Sequence, residues 1–407
     1  MTVCMLAYTF YDSDNRVRRY AEALARRGEQ VDAIVLRQDN KPAHEVVNGV
    51  NVYRIQKRQR NEQNPLAYLL KLLLFFVRSA LALTARHFGR PYDVIHVHSI
   101  PDFEVFATAI PKLMGAKVIL DIHDLVPELY ASKFKRAERS MAFRLLLLIE
   151  KMSIAYADHA ISANHLWHRK LIQRAVSPEK CTVIINYPDP HLFCPRPRTS
   201  PVTSEFLMCY PGTLNSHQGL DLAIEAVAAM RQTAPHLRLL IIGDGPDREK
   251  LKTMIQQADL GDRVRLVGLV PMEQVAATMA NVDLGIVPKR KNSFGNEAFS
   301  TKIMEFMAMG VPVVISRTTI DQFYFDDSLV QFFESDNVPD LVANIQRVMD
   351  DAPRRNRLRS AGLEFIKQNN WEVRQHEYFD LVDRLVARKT AQREIGQPYA
   401  ANPADRS

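Results

Sequence analysis

Two glutamates, Glu297 and Glu305, stand eight positions apart in GNEAFSTKIMEFMAMGVPVV (295–314). Carboxylates so spaced could form an acid–base pair, lie solvated, or hold one ligand at two points. Local pattern weighs against the first. Ser300 is a helix-capping residue type, Ile303, Met304, Phe306 and Met307 follow at helical spacing, and Gly310 is a stop signal. Glu297 then belongs to the loop before a helix and Glu305 to the helix itself. That spacing is too wide for an i, i+4 contact, and it does not support the paired carboxylates of a glycoside hydrolase. Between the two lies a helix N-terminus with free N–H groups and a positive dipole end, beside Lys302. That is a seat for phosphate. A ligand with phosphates in the middle and hydroxyls at both ends fits: a sugar, a diphosphate and a ribose.

Other stretches carry candidate groups. LDIHDLVPELY (120–130) ends an apolar run at His123 and Asp124, with Pro127 and Glu128 just behind. Carboxyl ends of parallel strands face the ligand crevice of α/β sheets; a satisfied histidine at a strand end is the plainer alternative. YPGTLNSHQGLDLAIEA (210–226) runs through Gly212, Thr213 and Gln218 toward a helix. IIGDGPDREKL (241–251) holds Gly243 and Gly245, but Arg248 stands where a third glycine would complete a dinucleotide fingerprint. In YTFYDSDNRVRRYAEAL (8–24), Asp14 or Asn15 suits a helix cap. Arg16, Arg18 and Arg19 behind it either meet an anionic ligand or lie solvated. HVHSIPDF (96–103) places His96 and His98 on one face of a strand. No third metal ligand follows at a suggestive spacing, so no metal is expected, and His98 reads as structural and near a cleft.

What must position these groups is a double series of strands and helices. VCMLAY, VDAIVL, DVIHVH, AKVILDIH and HAISA are near-continuous apolar runs, the pattern of parallel strands covered on both faces. NYPDPHLFCPRPRTSPVTSE (186–205), rich in proline and hydroxyls, reads as a linker. The alternation then resumes with FLMCYPG, LRLLIIGDGP, VRLVG, LGIVP and VPVVIS. The expected fold class is α/β, with two doubly wound Rossmann-like domains and a cleft between them. The expected boundaries are an N-terminal domain over 1–190, a linker over 191–203 and a C-terminal domain over 204–370. A final helix over 371–388 and a disordered tail over 389–407 complete the chain.

Composition narrows the partners. The 407 residues are 47% hydrophobic and 24% charged, with a net charge of +7. The mild excess of cations points to nucleotide or lipid phosphates, and no basic run with interleaved aromatics points to nucleic acid. Cys4, Cys181, Cys194 and Cys209 form neither a disulfide framework nor a zinc site, which fits a reducing compartment. The N-terminus reads as a first strand, without a signal-peptide pattern. PLAYLLKLLLFFVRSALALTARHFGR (65–90) approaches bilayer-spanning length, but Lys71 and Arg78 interrupt it. It is expected to pack on the first domain, or to touch an anionic membrane as well, with KRQR (57–60), Arg86 and Arg90 favouring that contact.

The 295–314 stretch resembles the Glu–seven residues–Glu motif of the retaining glycosyltransferases of family 4, the group 1 glycosyltransferases, and MAMGVPVV is typical of them. The resemblance covers roughly 1–385, most strongly 120–130 and 210–315. It implies a GT-B fold, with NWEVRQHEYFDLVDRLVARK (370–389) returning to the first domain. It implies donor contacts by Glu297 on hexose hydroxyls and by Glu305 on the ribose, with the backbone about Phe299, Ser300 and Thr301 holding sugar and phosphate. His123 matches the family histidine beside the reacting carbon, and Asp124 an orienting or acceptor-side group. Gly212 belongs to the loop that clamps the diphosphate, where Thr213 and Gln218 replace the usual arginine and lysine. That departure puts donor binding or activity in question and leaves Lys302 or His217 to supply charge. Gly243 and Gly245 match a Gly-x-Gly-Pro loop, and 264–268, including Val267 and Gly268, the strand that reads the base. Asp14, Arg16 and His98 are acceptor-side candidates. Asp12-Ser-Asp14 also matches the Asp-x-Asp string of metal-dependent transferases of a different fold, a match too short to imply a metal.

The implied activity is retaining transfer of a hexose-type sugar from a nucleotide-diphospho-sugar to a hydroxyl of a glycan or lipid-linked acceptor. Such an enzyme would serve polysaccharide, exopolysaccharide or lipid-linked glycan assembly, in the cytoplasm or at the inner face of the membrane, with no cofactor. The alternatives are a non-catalytic GT-B partner subunit and a nucleotide-sugar epimerase on the same architecture.

Overall fold

The computed structural model describes residues 1–58, 65–133, 140–199, 205–292 and 294–395. Parts of the expected basic run (59–60), linker (200–203) and tail (396–407) lie outside the described residues. Among the described residues the strands form two sheets. The first holds β1 Thr2–Ala7, β2 Gln30–Arg37, β3 His44–Val47, β4 Val50–Lys57, β5 Val94–His98, β6 Lys117–Ile122, β7 His159–Ser162 and β8 Cys181–Val183, in the order β3-β4-β2-β1-β5-β6-β7-β8. The second holds β9 Phe206–Pro211, β10 Leu237–Ile242, β11 Val264–Val267, β12 Leu284–Val287, β13 Val313–Ser316 and β14 Gln331–Phe333, in the order β11-β10-β9-β12-β13-β14. Every pairing is parallel except β3 with β4.

The apolar runs become strands because helices cover both faces of each sheet; β5, β7, β12 and β13 are buried along their whole length. Chain order reverses between β1 and β5 in one sheet and between β9 and β12 in the other. These are the switch points where an open α/β sheet leaves a crevice beyond its carboxyl edge. His98, His123 and Gly212 lie at or just past such edges. Register also does chemical work: β5 and β6 pair His98 with Asp121.

Two helices stand outside this alternation. Trp371–Ile395 leaves the second unit and packs on the first, with Tyr378 against Tyr20 and the His96 ring. Its amino end meets the outgoing chain, where the Trp371 N–H donates to the Pro188 carbonyl at 2.9 Å. The helical backbone runs to Ile395, past the expected tail boundary at 389. Pro65–Gly89 buries one stripe, Leu72, Phe75, Ser79 and Leu83, in the first unit. Its opposite stripe, including Leu70, Val77 and Leu81, is exposed.

Candidate active site

Between the carboxyl edges of the two sheets lies a cavity of about 810 Å³. From the first unit its wall takes Asp14, Arg16, His123 and Asp124. From the second it takes Gly212, Thr213, Gly243, Phe299, Thr301, Lys302 and Glu305. Eleven sequence candidates thus converge on one space, from loops up to 291 positions apart in the chain (305 − 14).

Arg18, Arg19 and Arg26 also line it, and the cation the second unit brings to its wall is Lys302, in the first turn of helix Thr301–Ala308. Its side chain runs over Gly212, which has φ of +145°, and its ammonium stands 5.2 Å from the centroid of the Tyr210 ring. Burial lowers its pKa, with Glu305 working against that and Lys289 with it. A lysine so placed gains by meeting an anion. Glu305, on the same helix, is raised by burial, against the pull of Lys302 and the Thr301 hydroxyl. Gly212 has no room for a side chain, because a Cβ would press on the Lys302 Cε. Gly212→Ala is therefore expected to displace the ammonium and weaken binding of a diphosphate by about tenfold or more, the scale of one charge-assisted hydrogen bond. Isothermal titration with a nucleoside diphosphate measures this directly.

His123 sits on a buried charged network built from residues far apart in the chain. Asp121, fully buried in β6, accepts from Nε and Nη2 of Arg16, both at 2.7 Å. His123 Nε2 lies 3.1 Å from the same carboxylate and 3.1 Å from Nδ1 of His98. Burial alone would raise the Asp121 pKa, but Arg16 and His123 hold it well below the usual carboxylate range. An ionised carboxylate only accepts, so Nε2 of His123 carries its proton toward Asp121, and Nδ1 is the ring's remaining polar atom. Burial lowers the pKa of both His96 and His98 and keeps them neutral, against the pull of Asp121.

His96, His98 and Asp121 lie close enough to share an ion. The third group absent from the linear spacing is thus supplied across the sheet by register. Arg16 already occupies both carboxylate oxygens, however, and a second cation beside its guanidinium would be repelled. The trio is a hydrogen-bonded network under His123. A buried Asp within the apolar run VILDI was the signal available in sequence, since a charge there requires a partner.

Several expectations are corrected. Arg16 was expected on the acceptor side; it is 4% exposed and committed to Asp121 and the Ile184 carbonyl. Arg18 pairs with Glu22, and Arg19 donates to the Tyr187 carbonyl and Asn186, so none of the three is a solvated surface charge. Asp14 caps the helix as expected, accepting from the N–H groups of Arg16 and Val17, and it also lines the cavity. His98 is buried behind His123 and does not reach the cavity. Ser300 stands at the N-cap position but makes no capping bond. Gln218 turns to His217 at 3.0 Å, and neither lines the cavity. Gly245 packs on the Leu214 backbone, and the Val267 carbonyl accepts from the Gly243 N–H. Beyond Gly268, it is Leu269 and Val270 that reach the wall.

The largest difference concerns Glu297, which is absent from the wall. Its carboxylate meets Lys170 of the first unit at 2.6 Å, and its carbonyl accepts from Asn164 at 3.1 Å. The loop holding it is pinned from within. Lys289, buried at the end of β12, pairs with Asp321 at 2.9 Å and donates to the Ala298 carbonyl at 2.8 Å. Lysine at the end of the run LGIVPK was the available hint.

Residues 13–186 match the model of the glycosyl transferase 4-like domain, and 196–365 that of the glycosyl transferases group 1. The chain is 32% identical over 155 residues to the amylovoran biosynthesis glycosyltransferase AmsK of Erwinia amylovora, 38% of either chain. Matches to polysaccharide transferases of this kind span about two fifths of those relatives' length. It is 24% identical over 410 residues to the D-inositol 3-phosphate glycosyltransferase of Thermomonospora curvata, covering 94% of this chain and 90% of the relative. Among solved structures, the sucrose-phosphate synthase of Thermosynechococcus elongatus superimposes with a TM-score of 0.78 at 22% identity, over 95% of this chain and all of that one. The Anabaena protein Alr3699/HepE, in complex with UDP and glucose, does so at 0.69 and 16%, over 93% and 98%. The architecture is GT-B. With one family model on each unit and one cavity between them, the chain belongs to the group 1 glycosyltransferases.

Proposed function

We propose that this protein moves a hexose-type sugar, with retention, from a nucleotide-diphospho-sugar to a hydroxyl acceptor, in polysaccharide or lipid-linked glycan assembly. One observation carries the reading. Lys302, over Gly212 and at a helix N-terminus, lines the same cavity as His123 and Glu305. The first set suits a diphosphate, Glu305 a ribose, and His123 a sugar held next to it. Solved neighbours carrying UDP and UDP-glucose support a nucleotide-sugar as donor.

The steps follow from the residues. The helix N-terminus and Lys302 stabilise charge developing on the leaving diphosphate, a task that needs no metal. His123, fixed by Asp121, orients the hexose, and Asp124 borders the acceptor side. The acceptor attacks from the face the diphosphate leaves, and the leaving oxygen takes its proton. Glu297 reaches the hexose hydroxyls only by exchanging Lys170 for them. The reading includes work at the inner face of the membrane, with contact through 57–90.

A thermal-shift screen of UDP-, GDP-, ADP- and dTDP-sugars should raise the midpoint with one of them by mass action. With that donor, purified protein should release nucleotide, and His123→Ala should slow release by about 10²-fold or more. No release by the parent with any donor, despite binding, would point instead to a non-catalytic subunit. The displaced Glu297 and the Thr213 and Gln218 replacements favour that second reading.

A further inference from the structure

The first unit carries an exposed apolar surface that the cavity does not use. On helix Pro65–Gly89, Leu70, Leu74, Val77, Leu81 and Phe88 recur at helical spacing on the side away from the sheet, with Leu81 67% exposed. On helix Met141–Tyr156, Met141, Leu145, Leu148 and Met152 do the same, with Met141 77% exposed. Both helices pack on the same segment, Asp102–Thr108. The short helix that continues it, Ala109–Leu113, packs on Pro65–Gly89 and exposes Ile110, Leu113 and Met114, with Leu113 at 88%. Three neighbouring elements therefore leave large aliphatic side chains in water. Exposed apolar patches of this extent mark interaction surfaces.

Charge selects the partner. Helices Pro65–Gly89 and Ala109–Leu113 contain no Asp or Glu. The single acid of Met141–Tyr156, Glu150, is buried and held by Arg174 at 2.7 Å. Cations, by contrast, stand beside the apolar stripes: Arg78 on the first helix, and Arg144 and Lys151 on the other. Where Pro65–Gly89 meets the end of β4, a groove of about 410 Å³ is lined by Arg37, Lys57, Lys71 and Arg78, with Lys57 also meeting Asp39 at 3.4 Å. Protein interfaces are depleted in lysine. Among the described residues, the exposed charges carried by these three helices are Lys and Arg, with Asp39 and Asp158 pairing Lys57 and Lys112 beside them. Aliphatic stripes of that kind suit a surface of anionic phospholipid.

We propose that these three helices form one membrane-docking face, with aliphatic side chains in the upper acyl layer and the Arg37–Lys57–Lys71–Arg78 groove on lipid phosphate. The proposal rests on the membrane contact included in the functional reading. It goes beyond that contact by bringing in the helices at 109–113 and 141–156 and by naming the headgroup contact.

The test is flotation of the full chain with vesicles of phosphatidylcholine, with and without phosphatidylglycerol, at low and high salt. The parent should float with phosphatidylglycerol vesicles and be partly released by salt. Leu74→Asp/Leu81→Asp and Leu145→Asp/Leu148→Asp should each lower partitioning by about tenfold or more. Arg78→Glu/Lys151→Glu should do likewise and weaken the salt dependence. All substituted positions are exposed, so each variant should keep the parent's donor-induced thermal shift. That measurement separates this proposal from the catalytic one. A parent that stays soluble beside anionic vesicles overturns the proposal. So does a Leu145→Asp/Leu148→Asp chain that floats like the parent, since the contact would then be confined to 65–89. A parent that dimerises through this face, with dimerisation lost in the Leu→Asp chains and no flotation, assigns the surface to a second copy instead.

Discussion

Asp121→Asn should destabilise the first unit by about 3–5 kcal/mol, the cost of leaving one member of a buried ion pair uncompensated. Arg16 is nearly inaccessible to water, and both of its bonds to Asp121 measure 2.7 Å. Loss of the carboxylate strands that guanidinium. Transfer should fall as well, because His123 loses the acceptor that fixes its Nε2 proton. A second substitution separates the two effects. Arg16→Met with Asp121→Asn removes both charges, and neutral replacements of a buried pair are often close to neutral in stability. The double variant should recover most of the lost thermal midpoint and none of the lost turnover. If turnover returns with stability, Asp121 serves the fold alone. The same carboxylate implies acid sensitivity. Its folded pKa is depressed, so its contribution is full above the ordinary Asp value of about 3.9. It fades as pH falls from there through the folded value.

Lys302→Met should weaken donor binding by about 10–150-fold, the range for a hydrogen bond to a charged group. It should slow turnover by about 10²–10³-fold at saturating donor, since the leaving diphosphate gains charge as the bond breaks. The loss should be greatest for the diphosphate-bearing part of the ligand. In calorimetry, a nucleoside diphosphate should lose affinity while the nucleoside binds as before. Stability should not fall. Burial already lowers the pKa of this lysine, and its replacement by a thioether over the Tyr210 ring removes a desolvated charge. Unchanged diphosphate affinity would return the phosphate seat to Thr213 and the helix N-terminus.

How much of this was visible in the sequence depends on how local each cause is. The runs at 93–98, 116–123 and 159–163 became strands Val94–His98, Lys117–Ile122 and His159–Ser162. A parallel strand buried on both faces leaves a continuous apolar signature. The hairpin His44–Val47/Val50–Lys57 drew no expectation. It closes the sheet at an edge, where the alternating pattern of residues 50–57 is weaker than a fully apolar run. For the cavity, glycine turns and the helix start at Thr301 were readable because they depend on neighbours in sequence. The fates of Arg16 and Glu297 were not. Their partners, Asp121 and Lys170, lie 105 and 127 positions away, on other strands and helices. Nothing in GNEAF could show that a lysine of the other unit would reach its carboxylate first.

The N–H of Trp371 bonded to the carbonyl of Pro188 has a mechanical meaning. The chain passes between its two halves twice, and the two passages are tied side by side, with Arg374 also donating to the Tyr187 hydroxyl at 3.2 Å. Two cords fastened at one place make a hinge: they allow a swing and resist sliding. Contacts from Asn164, His165 and Lys170 to Glu297 and Tyr324 then act as the latch of that door. Because the latch ends on Glu297, the protein cannot swing open without freeing that carboxylate. Opening at this latch and freeing Glu297, the first of the two glutamates, are one movement.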